Sequence, residues 1–275
     1  MGSRVSPRLE QILVATDLDS TTIYPASASY LCGRAMNLVE GRSGKPRSVM
    51  TSTASRLWSL LGTRAVVVPA TGRTIEQYRR LTLPGRPPRY AVTLLGADII
   101  VDGQPDRSWH RTFRDQIARE SINLKHVVAY LRRHVSAGLL ERIYIAADAY
   151  CVAVLRGKTP ATARHEIDAW AYGRGWKTVS EGKDLYILPV ALDKRNAVAY
   201  LARRLEVSRS IAGGDSLLDA DMLRGADACI RPSHGSLHES GWDCETLTVA
   251  RKAAPEVSYE ILAWYLRQTG WSDDE

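Results

Sequence analysis

The chain has 275 residues, of which 45% are hydrophobic and 24% are charged, a composition typical of globular rather than disordered or fibrous proteins. This length suits one large domain or two modest ones. The net charge of +7 favours an anionic partner, either nucleic acid or a phosphorylated small molecule. Because the Lys and Arg residues form no dense basic run, nucleic-acid binding is unlikely and lacks specific support.

Neither a membrane segment nor a disulfide framework is expected. No stretch approaches the length of a membrane span, and the N-terminus has no apolar signal core. The cysteines are far apart, without a CxxC pair, which argues against a structural zinc site. Reduced thiols in a cytoplasmic protein fit this pattern best.

The N-terminal part of the chain alternates between strand-like and helix-like segments. Residues 11–16 form an apolar run that predicts a buried strand, and residues 53–61 have helical spacing. A second apolar run at 64–70 predicts another strand, and residues 74–81 look helical. The stretch at 32–52 predicts an extra loop or hairpin near the first strand.

The middle of the chain differs in composition. A proline-dense segment at 81–90 predicts a linker, and the run YAVTLLGADIIVDG that begins at Tyr90 predicts a hairpin through Gly96. A single long amphipathic helix is predicted over 114–135. The remaining elements predicted in this part are a strand over 142–155, a helix over 162–173 and a strand over 183–190.

Helix and strand alternate again after Pro189, with a helix predicted over 193–205 and a strand over 210–215. Alternation at both ends of the chain predicts an α/β core with a parallel sheet. We therefore expect a core formed by residues 1–83 and 190–275, with an inserted α+β domain at 84–189. Residues 84–189 are called the predicted cap below.

Polar residues follow three of the predicted strands: Asp17 and Asp19, then Thr71, then Asp215. Aspartates directly after an apolar strand have three competing explanations, namely a solvated strand end, a helix cap or a metal site. If the strands are parallel neighbours, these side chains converge at the carboxyl edge of the sheet, where open α/β sheets bind ligands. Crowded carboxylates suit Mg²⁺, which takes oxygen ligands together with substrate phosphate.

Lys194 and the Thr71-Gly72 turn add groups that favour phosphate. An ammonium and a backbone turn supply positive potential for phosphate oxygens. An ionised aspartate can act as a nucleophile, and a second carboxyl group nearby can protonate the leaving oxygen. The residues are thus compatible with phosphoryl transfer.

Four motifs in this order resemble those of haloacid dehalogenase-like phosphohydrolases. DLDST at 17–21 resembles the first motif, DxDx(T/V), and Thr71-Gly72-Arg73 resembles the second. Lys194 resembles the third motif, and GGDSLLDADML at 213–223 resembles the fourth, GDxxxD. The resemblance covers both ends of the chain and implies a Rossmann-like core.

The resemblance implies a role for each motif residue. Asp17 would be the nucleophile and a Mg²⁺ ligand, while Asp19 would be the general acid/base and would bind the metal through its backbone carbonyl. Thr71 and Gly72 would bind the transferring phosphoryl group, and Lys194 would neutralise charge on the nucleophile and the phosphate.

The fourth motif completes the implied metal site, with Asp215 as a ligand and Asp219 in support. An acid at position 19 fits phosphatases and phosphomutases within this superfamily. Two Leu residues, Leu95 and Leu218, stand where relatives commonly have Asn, and each removes a polar group near the expected site.

The position of the insert, between the second and third motifs, resembles the C2 cap of Cof-type and sucrose-phosphate-phosphatase-like members. The chain is also similar to actinobacterial members that accompany tellurium-resistance-type operons. The resemblance implies a Mg²⁺-dependent phosphatase that acts on a small phosphorylated metabolite, a sugar phosphate or a nucleotide-like phosphate ester, through an aspartyl-phosphate. A phosphomutase and a catalytically weak phosphate-binding or regulatory protein are the alternatives, and the sequence does not give the oligomeric state.

Overall fold

The computed structural model describes residues 11–31, 33–135, 138–156 and 161–272, and no helix in these ranges is long and apolar enough to span a membrane. The strands are β1 (Ile12–Thr16), β2 (Tyr24–Pro25), β3 (Met36–Arg42), β4 (Lys45–Thr51), β5 (Val66–Pro69), β6 (Tyr90–Thr93), β7 (Asp98–Val101), β8 (Gln104–Pro105), β9 (Leu140–Ala146), β10 (Tyr150–Leu155), β11 (Trp176–Glu181), β12 (Asp184–Pro189), β13 (Arg209–Gly213), β14 (Ala228–Arg231) and β15 (Leu247–Val249). The helices are α1 (Ser52–Arg64), α2 (Ile75–Tyr78), α3 (Arg107–Glu120), α4 (Leu124–His134), α5 (Ala161–Tyr172), α6 (Lys194–Arg204), α7 (Ala220–Arg224), α8 (Ser236–Glu239) and α9 (Val257–Gln268).

A five-stranded parallel sheet lies at the centre of the fold, with the strand order β15-β14-β13-β1-β5. Strand β1 lies between β13 and β5, and its last residue, Thr16, is opposite Gly213 on one side and Pro69 on the other. The strand ends after β1, β5 and β13 are therefore neighbours at one edge of the sheet. This arrangement confirms the predicted α/β class with a central parallel sheet.

Both faces of this sheet are covered, which explains why β1 is a continuous apolar run rather than an alternating one. Leu13 belongs to one buried cluster and Val14 to another, because successive side chains of a strand point to opposite faces. Helices α1 and α9 pack in the cluster of Val14, while α6 and α7 contribute to the cluster of Leu13.

Three smaller antiparallel sheets surround the central one. They have the strand orders β2-β4-β3, β6-β7-β8 and β11-β12-β10-β9. The β6–β7 hairpin through Gly96 lies beside the end of β5, where Ala70 and Val92 form an isolated bridge. The buried cluster of Leu13 continues from the central sheet to Cys151 and Ile187 in the four-stranded sheet.

The segment predicted as one helix over 114–135 contains two helices. Helix α3 ends at Glu120 and α4 begins at Leu124, although the apolar spacing continues through the break. Asn123 accepts a hydrogen bond from the Lys125 amide at 3.0 Å and is the N-cap of α4. Asn is favoured at the N-cap because its side chain accepts a hydrogen bond from a helix amide that would otherwise be unpaired.

The run predicted as one strand over 142–155 is also divided, into β9 and β10. Ala147 and Asp148, in the turn between them, both have positive φ angles, 44° and 56°. Two central residues with positive φ are typical of the tight turns that join antiparallel strands.

The stretch at 32–52 contains a hairpin, as expected, formed by β3 and β4; position 32 itself lies outside the described residues. Thr51 ends the hairpin and begins α1, because its hydroxyl accepts a hydrogen bond from the Ala54 amide at 3.1 Å. The hairpin is therefore anchored directly to a helix of the core.

Gly175 precedes β11 and lies against the end of α3. Its φ is +77°, and a Cβ atom there would lie 1.9 Å from the Glu120 carbonyl oxygen. Gly103 offers a matched control, since its φ is +76° and a Cβ atom would meet nothing within 4 Å. We expect Gly103→Ala to lower the free energy of unfolding by about 1–2 kcal/mol through backbone strain alone.

Gly175→Ala adds a backbone clash to the same strain, so it should cost a further ~1–3 kcal/mol. Urea denaturation of both variants checks this difference. Equal losses in the two variants would contradict the close contact between Gly175 and α3.

Candidate active site

The first aspartate of the site, Asp17, directly follows β1 and is only 6% exposed. Its amide donates to the Gly213 carbonyl at 2.8 Å, which continues the pairing of β1 with β13. The chain then turns tightly, and the Thr21 hydroxyl is within hydrogen-bond distance of two carboxylates, 3.4 Å from Asp17 Oδ2 and 3.1 Å from Asp215 Oδ1. Thr21 therefore joins the first and fourth motifs, a role that sequence reasoning missed.

The fourth motif brings Asp215 and Asp219 to the same edge of the sheet. Gly214 permits this approach, because a Cβ atom there would lie 2.5 Å from the Asp219 carboxyl group. Asp219 is fully buried, and its Oδ2 accepts a hydrogen bond from the Ser216 amide at 3.1 Å. Asp219 is thus held in place by its own turn while its other oxygen points to the site.

Lys194 is the cation at the centre of this cluster. Its ammonium donates to Asp17 Oδ1 at 2.7 Å and to Asp219 Oδ1 at 2.6 Å, and its side chain is 3% exposed. It is the first residue of α6, which begins at Asp193 as N-cap. The helix dipole disfavours a lysine there, so the two carboxylates provide the physical reason for its position.

One ammonium group, that of Lys194, compensates the negative charge of three neighbouring carboxylates only in part. Carboxylate oxygens of Asp17, Asp215 and Asp219 all lie within 4.8 Å of one another. Burial raises the pKa of Asp17 to about 7, and burial together with the charges of Asp17 and Asp219 raises the pKa of Asp215 to about 8. Burial opposes the charge of Lys194, but the two carboxylates outweigh it and raise its pKa.

This donor set consists of oxygen atoms with an excess of negative charge, and such a set fits a hard divalent cation. A cation among the three aspartates would relieve the repulsion between their carboxylates. The structure therefore brings together Asp17, Asp215, Asp219 and Lys194 in a site that could bind a metal.

Thr71 and Gly72 follow β5, the other neighbour of β1. Thr71 is buried, its amide donates to the Val92 carbonyl at 2.9 Å, and its hydroxyl accepts from the Arg73 amide at 3.2 Å. Gly72 lies against Leu95, whose Cδ2 would be 3.3 Å from a Cβ atom at Gly72. Leu95, one of the two departures from the family motifs, thus packs on the second motif.

Asp19, the second aspartate, has a different environment from Asp17. Its side chain is 52% exposed, and both of its oxygens accept hydrogen bonds from Arg73 at 2.7 Å. Such a bidentate pair fixes the orientation of both groups. From the sequence, Arg73 was expected only as part of the Thr-Gly-Arg motif, and its contact with Asp19 was missed.

Glu40, on strand β3, holds Arg73 from the other side. It is 5% exposed and accepts from Arg73 Nη1 at 2.8 Å and from Arg80 Nε at 3.0 Å. Burial opposes its ionisation, but the two guanidinium groups outweigh burial and lower its pKa. The extra hairpin thereby becomes part of the site's charge network.

Glu181, at the end of β11, connects the predicted cap to the fourth motif. Its Oε1 accepts hydrogen bonds from the Ser216 hydroxyl at 2.6 Å and from the Ser236 hydroxyl at 2.7 Å. Ser216 follows Asp215 directly. Leu218, the other departure from the family motifs, is half-buried in the same turn.

Comparisons with known proteins agree with this geometry. The model of the sucrose-6F-phosphate phosphohydrolase family matches residues 171–239, the part of the chain that includes Lys194, Asp215 and Asp219. No curated protein sequence matches the chain significantly.

Solved structures match over nearly the whole chain. The sucrose-phosphatase of Synechocystis sp. PCC6803, solved with sucrose and phosphate, has a TM-score of 0.68 at 16% identity and covers 96% of this chain and 99% of its own. A subclass IIB sugar phosphatase of the haloacid dehalogenase superfamily has a TM-score of 0.60 at 12% identity, with 94% and 99% covered. The trehalose-6-phosphate phosphatase of Aspergillus fumigatus has a TM-score of 0.56 at 13% identity, with 94% and 93% covered.

The structure is an α/β protein whose residues Asp17, Lys194, Asp215 and Asp219, from three of the four ordered motifs, meet at one edge of the central sheet. Its fold is that of the sugar phosphatases of this superfamily, which confirms the resemblance stated from the sequence.

The buried Lys194 gives a direct test of the cluster. Lys194→Met leaves Asp17 and Asp219 buried without their cation, so we expect a loss of about 3–5 kcal/mol in the free energy of unfolding. Lys177→Met is the control, because Lys177 contacts Asp221 at 3.4 Å in a half-exposed pair and should cost less than about 1 kcal/mol. Urea denaturation at neutral pH measures both, and comparable losses would refute the central position of Lys194.

Proposed function

We propose that the protein is a Mg²⁺-dependent phosphatase that hydrolyses a small phosphorylated metabolite through an aspartyl-phosphate intermediate. The observation that carries this proposal is the position of Asp17. It lies at the carboxyl end of β1, between β13 and β5, contacts Lys194 at 2.7 Å and shares a cluster with two further aspartates. The names of the similar structures, sucrose-phosphatase and trehalose-6-phosphate phosphatase among them, favour a phosphorylated sugar.

The magnesium ion would be held by the carboxylates of Asp17 and Asp215 and by the backbone carbonyl of Asp19, with Asp219 supporting the site. Bound there, Mg²⁺ would act as a Lewis acid that neutralises charge on the phosphoryl oxygens. The oxygen-only donor set and the raised pKa values of Asp17 and Asp215 support this assignment.

The first chemical step is assigned to Asp17 and Asp19. A carboxylate oxygen of Asp17 attacks phosphorus, and the bond from phosphorus to the leaving oxygen breaks while Asp19 donates a proton to that oxygen. Lys194 opposes the effect of burial on Asp17, since its contact favours the carboxylate form. Thr71 and the backbone at Gly72 would bind the phosphoryl oxygens.

The second step returns the enzyme to its starting state. Asp19 accepts a proton from a water molecule, the water oxygen attacks phosphorus, and the bond to Asp17 breaks with release of phosphate. Arg73 would affect both steps because it donates hydrogen bonds to both carboxylate oxygens of Asp19. A proton on Asp19 would weaken this bidentate pair, because the protonated carboxyl group is neutral.

We further propose that residues 84–189 act as a C2-type cap over the site. The contact of Glu181 with Ser216 and Ser236 supports this role, because it connects the cap to the loop that carries Asp215. A cap in this position would exclude bulk water and contact the leaving group.

The proposal is tested with a panel of phosphorylated sugars and nucleotides, assayed for phosphate release with and without Mg²⁺. Asp17→Asn should reduce turnover at least about a thousandfold, because the nucleophile is lost. Asp102→Asn is the matched control, since Asp102 is exposed, forms an ion pair with Arg89 and lies in the turn before β8. Full activity in Asp17→Asn would contradict the nucleophile assignment.

The same panel separates the alternatives. An isomerised product without free phosphate would identify a phosphomutase. Binding of phosphate esters without turnover would identify a binding or regulatory protein.

Metal binding is tested separately from activity. A cation at 100 times its dissociation constant stabilises the folded state by about 2.7 kcal/mol, so saturating Mg²⁺ should raise the melting temperature by several degrees. Asp215→Asn should remove most of this increase because it removes a ligand, whereas Asp102→Asn should retain it. Differential scanning fluorimetry at constant ionic strength measures the shift, and equal shifts in both variants would place the metal elsewhere.

A further inference from the structure

A cavity opens beside Asp19, and none of the three clustered aspartates lines it. Its volume is about 330 Å³, and it lies between the β3–β4 hairpin and the segment that follows β5. We call it the arginine pocket. The charged residues that line it are Asp19, Glu40, Arg42, Arg47, Arg73 and Arg80.

The arginine pocket carries an excess of positive charge, since four guanidinium groups face two carboxylates. Arg73 is engaged by Asp19 and Glu40, and Arg80 uses its Nε on Glu40. Within the described ranges, no ion pair involves Arg42 or Arg47, so their charge remains available to a ligand.

Basic residues on a hairpin are often merely solvated, but this pocket has a buried support. Glu40 is 5% exposed and holds both Arg73 and Arg80, while Ser48 accepts from Arg73 Nη2 at 3.2 Å. A buried carboxylate is costly unless it is paired, and here the pairing fixes two guanidinium groups at the pocket wall. One wall of the pocket, formed by Arg73 and Arg80, is therefore preformed, whereas Arg42 and Arg47 are exposed on the hairpin.

The position of the pocket relates it to the leaving group. In the proposed reaction Asp19 protonates the leaving oxygen, so the leaving group must lie beside Asp19, where the pocket opens. Guanidinium groups match the planar geometry of carboxylates and the oxygens of phosphates.

We propose that the arginine pocket binds a second anionic group, a carboxylate or a phosphate, on the leaving part of the substrate. This inference rests on the proposed phosphatase function. It narrows the substrate class to phosphate esters that carry a second anionic group besides the reacting phosphate. The +7 net charge of the chain is consistent with such a substrate.

An anion in the pocket also has a consequence for catalysis. It would compete with Asp19 for the donors of Arg73 and so change the position of the proposed acid/base beside the leaving group. Binding energy from the remote anion would then assist the chemical step as well as affinity.

The test uses two pairs of probes that differ by one anionic group. These are 3-phosphoglycerate against glycerol 3-phosphate, and glucose 1,6-bisphosphate against glucose 6-phosphate. Isothermal titration calorimetry with Asp17→Asn and Mg²⁺ avoids turnover. In at least one pair, we expect the compound with the second anionic group to bind at least about tenfold more tightly than the compound without it. One charge-assisted contact allows a difference of this size.

The double variant Arg42→Ala/Arg47→Ala, in the same Asp17→Asn background, should reduce that affinity ratio to about two or less. Lys45→Ala is the matched control, because Lys45 is exposed on the same hairpin but does not line the pocket, and it should retain the ratio. A preference only in the first pair would identify a carboxylate ligand, and a preference only in the second would identify a phosphate. Circular dichroism checks that each variant is folded.

Equal binding within both pairs, failure of all four probes to bind, or a ratio unchanged by the double variant would overturn the inference. These outcomes are distinct from failure of the proposed function. If the protein hydrolyses phosphate monoesters equally well with and without a second anionic group, only the second-anion inference is refuted. A preference in binding without hydrolysis of any ester would retain the pocket and refute the phosphatase.

Discussion

The ammonium of Lys194 is the interaction on which the rest of the site depends. It contacts Asp17 from the first strand and Asp219 from the fourth motif, so residues separated by most of the chain share one cation. Without it, buried carboxylates at adjoining strand ends would repel each other and resist burial. One ammonium cannot compensate three carboxylates, however, and burial together with the remaining repulsion raises the pKa values of Asp17 and Asp215. The site is in this sense built for a further cation.

Much of the fold and the site could be predicted because the signals are local. Apolar runs that end in Asp17, Thr71 and Asp215 predict buried parallel strands, and the structure places those strands side by side. The division between α3 and α4 was missed because apolar spacing continues across it, and only Asn123, a favourable N-cap, marked the break.

The contacts of Glu40 and Arg73 could not be predicted, since they depend on how the β3–β4 hairpin folds over the site. A lone glutamate in an otherwise exposed stretch gives no indication that it will be buried against a guanidinium group 33 positions away. Likewise, nothing local connects Glu181 to Ser216 and Ser236. Motifs identify residues that do chemistry, whereas the pairing of isolated charges is decided by tertiary structure.

The two kinds of charge belong to different groups of residues. Asp17, Asp215 and Asp219 form a negative cluster that includes the fourth motif, and the arginine pocket, which Asp19 lines, carries an excess of positive charge. A phosphate ester with an anionic leaving group would be oriented by this asymmetry, because only one orientation places its second charge among the guanidinium groups. The buried Glu40 holds Arg73 and Arg80 in the positive group, and Lys194 compensates part of the charge of the negative cluster. Specificity would then arise from the extra hairpin of the core as well as from the predicted cap.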